Sequence, residues 1–461
     1  MSKLLNYILP LFILSVIGCS TSNSEIVFDG TNLNNWDTSG NVSLSDSIMV
    51  IEGKNSKSIL KNGNFRDFEL NAVIRTINNG KGVLTFHTDN SGKGYSIAIN
   101  NNKDDQQWWK MTGSLLSVRN IIKCFVEDGQ WFNLTLRVEG NLISTYINDI
   151  NVVNYIEPNE PYRTQANSKM LLSQGTFFFE NCNDGKLEIK NVSAKKIDRE
   201  MINIQGQLEV AQDETNDKII RLHQEDFPVL NAHVHLKGRL TKETAAKQSL
   251  NTGINYAVAP NCGIGFPITN EEDIKNYIDT MSTQPFILAM QGEGREWKDT
   301  FSKESRDKFD FVFTDAMTFN DHRNKRIHLW VKDEVVIDNE QKYMDMIVDR
   351  TCDVLKEPAD VYVNPFYLPD ALQEKYDELW TEERIDKVIA ALVESKEALE
   401  INELYNIPSK KIILKAKNAG IKFTFGSNNI DSNIGKLDYS IKMKEECGLT
   451  SIDMYKPKQR K

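Results

Sequence analysis

The residues best suited to chemistry are His233 and His235, in the stretch Asn231-Ala232-His233-Val234-His235 that follows the apolar run Phe227–Leu230. Strand side chains alternate with period two, so histidines two residues apart at the end of a buried strand point the same way. Two imidazoles on one side are placed to share a divalent cation, which would lower the pKa of a bound water and polarise a substrate oxygen. The chain has only six histidines, and two of them fall here.

Carboxylates and amides recur at the ends of later apolar runs. Gln291-Gly292-Glu293-Gly294-Arg295-Glu296 follows Phe286–Met290, and Asp315 follows Phe309–Thr314, with His322 a few residues on. Asn261-Cys262-Gly263 follows Tyr256–Pro260, Asn364 follows Val361–Val363, Asn402-Glu403 follows Ala398–Ile401, and Gly426-Ser427-Asn428-Asn429 follows Lys422–Phe425. One divalent ion on His233, His235 and Glu293, with Asp315 or His322 as a further ligand, is the expected cofactor. Zn, Mn and Fe are the candidates, because their sites favour imidazole and carboxylate over neutral amides. Glu293, Glu296 or Asp315 would serve as base. Arg295 would hold an anionic or hydroxyl-rich substrate, and Asn231, Asn364 and Asn428 would contact it. His322 reads equally well as a surface loop residue, and His223 and His328 read as incidental. The competing reading is a barrel that has lost its metal and persists as a scaffold.

Repeated strand–helix units position these residues. Between most of the seven strand-like runs lie helical patterns: Thr241–Asn251, Glu271–Met281, Glu340–Leu355, Thr381–Glu397, Ser409–Asn418 and Ile434–Cys447. Gly253 and Gly420 mark helix ends. Such units imply parallel strands with right-handed crossovers, here a seven-stranded α/β barrel over 227–461 with its site at the carboxyl ends of the strands. On these residues the segment resembles the polymerase and histidinol phosphatase (PHP) family. That resemblance implies a distorted seven-strand barrel, up to three metal ions and hydrolysis, mostly of phosphoesters. His233 and His235 match its opening His-x-His, Glu293 its bridging carboxylate, and Gly426-Ser427-Asn428 the place of its closing Gly-Ser-Asp-x-His. Asn231, Asn364 and Asn428 stand where that pattern has Asp, His and Asp, so one ion is implied rather than three.

Residues 27–197 carry a different period. Phe68–Ile74, Gly82–His87 and Phe132–Val138 alternate apolar and polar, punctuated by Asn78-Asn79-Gly80 and Asn183-Asp184-Gly185. Short strands with turn signals predict a β-sandwich. The opening Phe28-Asp29-Gly30-Thr31-Asn32-Leu33-Asn34-Asn35-Trp36, with Asp67–Leu70, Gly94-Tyr95, Trp131-Phe132 and Arg137–Asn141, resembles the 3-keto-disaccharide hydrolase domain family. The resemblance implies a concanavalin-like jelly roll and cleavage of 3-keto-glycosides. Ser96-Ile97-Ala98-Ile99 departs from the acidic or amide side chains common in that family's strand. Trp108 and Trp109, in the polar loop 100–109, read either as a sugar-stacking platform or as a Trp pair packed at the sandwich edge.

Residues 198–226, charged and irregular, read as a linker. At the other end, Lys3, the apolar Leu4–Ile17 and Gly18-Cys19 read as a signal peptide over 1–19 that resembles a bacterial lipoprotein cleavage box. Cys19 would then carry lipid, and 20–26 would be a tether to the cell envelope membrane. The formal net charge of −10 argues against nucleic acid as a partner. The remaining five cysteines lack CxxC spacing and read mostly as buried small hydrophobes, with a Cys124–Cys182 bridge as a pairing that an envelope compartment would allow. Together these readings describe a lipid-anchored hydrolase of carbohydrate-derived substrates, or a surface glycan-binding protein with an inactive barrel.

Overall fold

The computed structural model describes residues 25–88, 93–198, 214 and 217–459. The expected signal peptide with Cys19, most of the tether, and residues 199–213 of the expected linker lie outside the described residues.

Eleven antiparallel strands between Glu25 and Lys196 form one sheet that curls jelly-roll-like around an apolar core. The curl arises because the long strand Ile48–Leu60 serves both halves. Its first part, Met49–Glu52, pairs with Lys186–Ile189, and its second, Ser56–Ile59, pairs with Phe178–Asn181. Between them Gly53 and Asn55 adopt φ of 77° and 65°, the left-handed region that Gly and Asn tolerate, and the strand turns there. Alternate residues of the strand Phe68–Ile77 (Phe68, Leu70, Ala72, Ile74) are buried, as the period-two pattern requires.

The C-terminal part is a closed barrel of seven parallel strands: Leu230–Val234, Asn255–Val258, Ile287–Gly292, Phe311–Thr314, Val361–Tyr362, Ala398–Asn402 and Phe423–Gly426. The seventh strand returns to the first, Phe425 facing Asn231. All seven expected runs form strands. The first begins three residues later than expected, so His233 lies inside it and His235 just past its end. All six expected helices form within a few residues of the expected bounds, and Gly253 caps the helix Lys242–Thr252 at φ 74°.

The two parts share a packed junction at the amino ends of the barrel strands. Trp108, Trp109 and Ile122 of the sandwich belong to the same apolar cluster as the barrel core. Asn255, which opens the second barrel strand, accepts from Ile122 N at 3.1 Å and donates to Asn120 O at 2.9 Å. Near the C-terminus, Gln459 donates to Ile122 O (2.7 Å) and accepts from Cys124 N (2.6 Å). The helix Lys218–Gln224, capped by Asp217, lies within the expected linker and packs both ways: Ile220 into the sandwich core, Ile219 and Leu222 into the barrel core.

This junction corrects the sugar-platform reading of Trp108 and Trp109. Both are about 95% buried, their rings meet edge-on at 5.7 Å, and Trp109 Nε1 donates to Asp226 at 3.1 Å. Cys124 and Cys182 are free thiols, so the candidate bridge is absent.

Candidate active site at the barrel mouth

His233 and His235 converge. Their Nε2 atoms stand 3.0 Å apart, and each Nδ1 has a partner of its own. His235 Nδ1 donates to Ala259 O at 2.8 Å, and His233 Nδ1 donates to Glu400 Oε1 at 2.6 Å. A backbone carbonyl can only accept, and so can a carboxylate; both Nδ1 protons are therefore fixed, and two Nε2 lone pairs face each other. Two lone pairs at this separation suit a shared proton or a cation between them. Burial, and after it the neighbouring His233, depress the His235 pKa well below its ordinary value. Asn429 clamps the segment by accepting from His235 N and donating to His235 O, both at 2.8 Å.

Glu400 is the residue that sequence reasoning missed. It is fully buried in the sixth strand and also accepts from Asn364 N (2.8 Å) and Asn402 Nδ2 (2.9 Å). The available signal was an acid inside the apolar run Ala398-Leu399-Glu400-Ile401. Room for it comes from Gly426, where a Cβ would sit 1.9 Å from Glu400 Oε1 and 2.8 Å from His233 Cβ.

Beside the histidines lies a cavity of about 390 Å³, lined by His235, Lys237, Asn261, Gln291, Glu293, Asp315, Asn364 and Asn428, with Trp330, Tyr405 and Ile430 among its apolar wall. Glu293 and Asp315 are joined by amides whose orientations are all determined. Asn261 Nδ2 donates to Glu293 Oε1 (2.6 Å) and to Gln291 Oε1 (2.9 Å), and Gln291 Nε2 reaches Asp315 Oδ2 at 3.4 Å. From the other side Asn364 donates to Asp315 Oδ2 (3.0 Å), and its own oxygen accepts from Asn402 (2.9 Å) and Asn428 (2.8 Å). Met317 N donates to Asp315 Oδ1 at 3.0 Å. Asp315 is thus an acceptor of three N–H groups. Burial first, and the negative charge of Asp315 second, raise the Glu293 pKa well above the usual carboxylate range. Two carboxyl groups on one network, one of them pushed toward its protonated form, is an arrangement that general acid–base chemistry uses.

Other expected site residues take different places. Among the described residues, no group of three or more His, Cys, Asp or Glu side chains is arranged to hold a metal ion. The set His233, His235, Glu293 and His322 is therefore not gathered. His322 stands 4.0 Å from Asp338 with its side chain about half exposed, and it does not line the cavity. The Arg295 guanidinium turns away from the mouth, pairing with Glu357 at 3.1 Å and donating to Asp315 O at 2.8 Å. It positions the Asp315 backbone instead of contacting a ligand there. Glu296 is consumed by Arg326. Asn231, expected to contact substrate, ties the first strand to the seventh: it donates to Ser427 Oγ (2.8 Å) and accepts from Ser427 N (3.0 Å). In the sandwich, one buried polar cluster is internally paired: Arg163 donates to Tyr155 Oη at 2.9 Å and pairs with Glu214 at 3.3 Å, and Tyr155 donates to Glu214 at 2.8 Å.

Residues 23–195 match the family model described as the 3-keto-alpha-glucoside-1,2-lyase-like domain. This agrees with the resemblance read from residues 28–36 onward and covers the N-terminal part alone. No curated protein matches the chain. Among solved structures, a glycosyl hydrolase from Parabacteroides distasonis ATCC 8503, described there as putative, is 15% identical, with 38% of this chain and 94% of that chain covered and a TM-score of 0.34. The carbohydrate-binding module CBM66 from Bacillus subtilis is 17% identical, with 36% and 98% covered and a TM-score of 0.28.

Proposed function

We propose that this protein is a carbohydrate-acting hydrolase that cleaves a glycosidic bond at the barrel mouth, with the sandwich as its rigid base and Cys19 as its lipid attachment to the cell envelope. The observation that carries the reading is the pair Glu293 and Asp315, held by one amide network in a cavity, with Glu293 protonated through its surroundings. In this mechanism Glu293 donates its proton to the glycosidic oxygen as the C–O bond breaks, and Asp315 takes a proton from the attacking water. The 3-keto-glucoside chemistry named for the family matched by residues 23–195 supports a sugar substrate, and a lyase reaction would call on the same two roles, proton donor to the leaving oxygen and carboxylate base.

A second reading is favoured by the facing Nε2 atoms of His233 and His235. Their orientation by Glu400 and Ala259 O matches the outer support that metal-bound imidazoles have. Both would hold a divalent ion, with the other positions left to neutral amides or water, and the ion would supply Lewis acidity. Two assays separate the readings: turnover of glycosides by Glu293→Gln and Asp315→Asn, and metal content of protein purified without chelator. The carboxylate reading expects a drop of about 10²–10⁴ in kcat for each variant with metal-free wild type fully active. Stoichiometric metal, with activity lost on chelation, would install the second reading. Sugar binding without turnover would leave a glycan-binding protein.

A further inference from the structure

We infer that Trp330 is the sugar-stacking platform of the barrel mouth, and that the ligand there presents a pyranose ring; this rests on the reading of the mouth as a glycoside-cleaving site. Trp330 lies just past the hairpin formed by Thr318–Asn320 and Arg326–His328, after the fourth barrel strand. It is 43% exposed and lines the cavity that holds Glu293 and Asp315. Large aromatic side chains are mostly buried, and Trp36, Trp108, Trp109, Trp297 and Trp380 of this chain are. An exposed indole facing a polar cavity therefore calls for a partner.

The ring is held in place before any ligand arrives. His328 packs edge-on against it at 5.0 Å. Glu334 Oε2 accepts from both His328 N and His328 Nδ1 at 2.7 Å, and Val331 N closes the turn onto His328 O at 2.9 Å. A platform fixed in this way loses little side-chain entropy on binding.

The cavity has two chemical sides. Trp330 and Ile430, the latter 67% exposed, form an apolar rim. The rest of the lining is polar: the carboxyls of Glu293 and Asp315, the Lys237 ammonium, and the amides of Asn261, Gln291, Asn364 and Asn428. A pyranose has the same duality: a face of C–H groups that packs on an aromatic ring, and hydroxyls that both donate and accept. A wholly apolar ligand would strip water from the Glu293 and Asp315 carboxyl groups and the Lys237 ammonium that line the same cavity, with nothing in return. A phosphoester would meet Glu293 and Asp315 with Lys237 as the one Lys or Arg among the lining residues. The mouth thus favours a neutral glycoside over the phosphoester that a PHP-type barrel implies.

The test uses full-length protein with sucrose, trehalose and cellobiose, each as the parent sugar and as its 3-keto derivative. Binding is read by calorimetry and by shielding of tryptophan fluorescence from acrylamide. Among the seven tryptophans only Trp131 and Trp330 are not buried, and Arg75 and Lys190 cover Trp131 at 4.6 and 4.5 Å. At least one of the six sugars is expected to bind and to shield fluorescence. Trp330→Ala should weaken that binding at least tenfold, Trp330→Phe should restore most of it, and Trp131→Phe should leave it unchanged. Undiminished binding by Trp330→Ala, or no binding of any of the six by wild type, overturns the inference. If sugars bind through Trp330 while Glu293→Gln still turns them over at the wild-type rate, the inference stands and the catalytic reading fails.

Discussion

Truncating Trp109 at the domain junction should destabilise the sandwich and the barrel together. The side chain is 5% exposed and belongs to the barrel's apolar cluster although it is carried by the sandwich. Replacing a buried Trp by Ala removes its transfer energy and leaves a cavity, at a cost of about 3–5 kcal/mol. Losing the indole N–H adds little, because Asp226 keeps Lys110 at 2.6 Å and Gln107 at 3.0 Å. The melting shift then depends on what unfolds as one unit. Unfolding entropy is about 2.1 cal/mol/K per residue, so for about 430 residues melting together the loss amounts to roughly 3–6 °C. Were only the sandwich of about 170 residues to unfold in that step, the same loss would shift it by roughly 8–14 °C. Calorimetry of Trp109→Ala, with near-ultraviolet circular dichroism as a second probe, distinguishes the two. The junction described above predicts a single transition displaced by the smaller amount. Two separated transitions, with one unmoved, would refute the idea that the sandwich and barrel form a cooperative whole.

Three further outcomes follow from particular contacts. His223 is buried at the same junction, accepting from Asn120 N at 3.4 Å and bonded to Gly253 O at 2.8 Å, with Arg119 the charged neighbour; burial first and Arg119 second lower its pKa to about 3. A depressed folded-state value means that the unfolded chain takes up the proton first, so this stability is complete above pH 6.5 and is lost as pH falls toward 3. The loss reaches about 2 kcal/mol by pH 5, and His223→Gln should flatten that part of a denaturant-derived stability profile. Gly426→Ala should displace Glu400 from His233, because its Cβ would collide with Glu400 Oε1; a crystal structure should show Glu400 moved, with glycoside turnover largely kept under the carboxylate reading and lost under the histidine–metal reading. Cys19→Ser should move the protein from the membrane fraction to the soluble fraction on cell fractionation, and unchanged membrane retention would count against the anchor.

Much of the barrel was legible because its signals are local. Strand runs bounded by turn residues, helices closed by Gly253 and Gly420, and the His-x-His pair all depend on neighbours in sequence. What was not legible depends on distant contacts. Trp108 and Trp109 sit in a polar loop whose sequence leaves a stacking platform and a packed pair equally open, and the barrel that covers them decides for the packed pair. Arg295 follows Glu293 closely in sequence, yet the turn at Gly294 (φ 71°) sends its guanidinium to Glu357, about sixty positions away along the chain. Glu400 gave a signal, an acid in an apolar strand, but nothing local says that His233 is its partner. Asn231 stood next to the histidines and read as a ligand contact, whereas both ends of its amide are taken by Ser427.

The central claim is that Glu293 is the proton donor for glycosidic cleavage, and leaving-group dependence tests it most directly. A 2,4-dinitrophenyl glycoside needs no protonation of its departing oxygen, whereas an alkyl glycoside does. The account predicts that Glu293→Gln nearly abolishes turnover of the alkyl glycoside while sparing turnover of the dinitrophenyl glycoside. Equal losses on both substrates, or no loss on either, would contradict it.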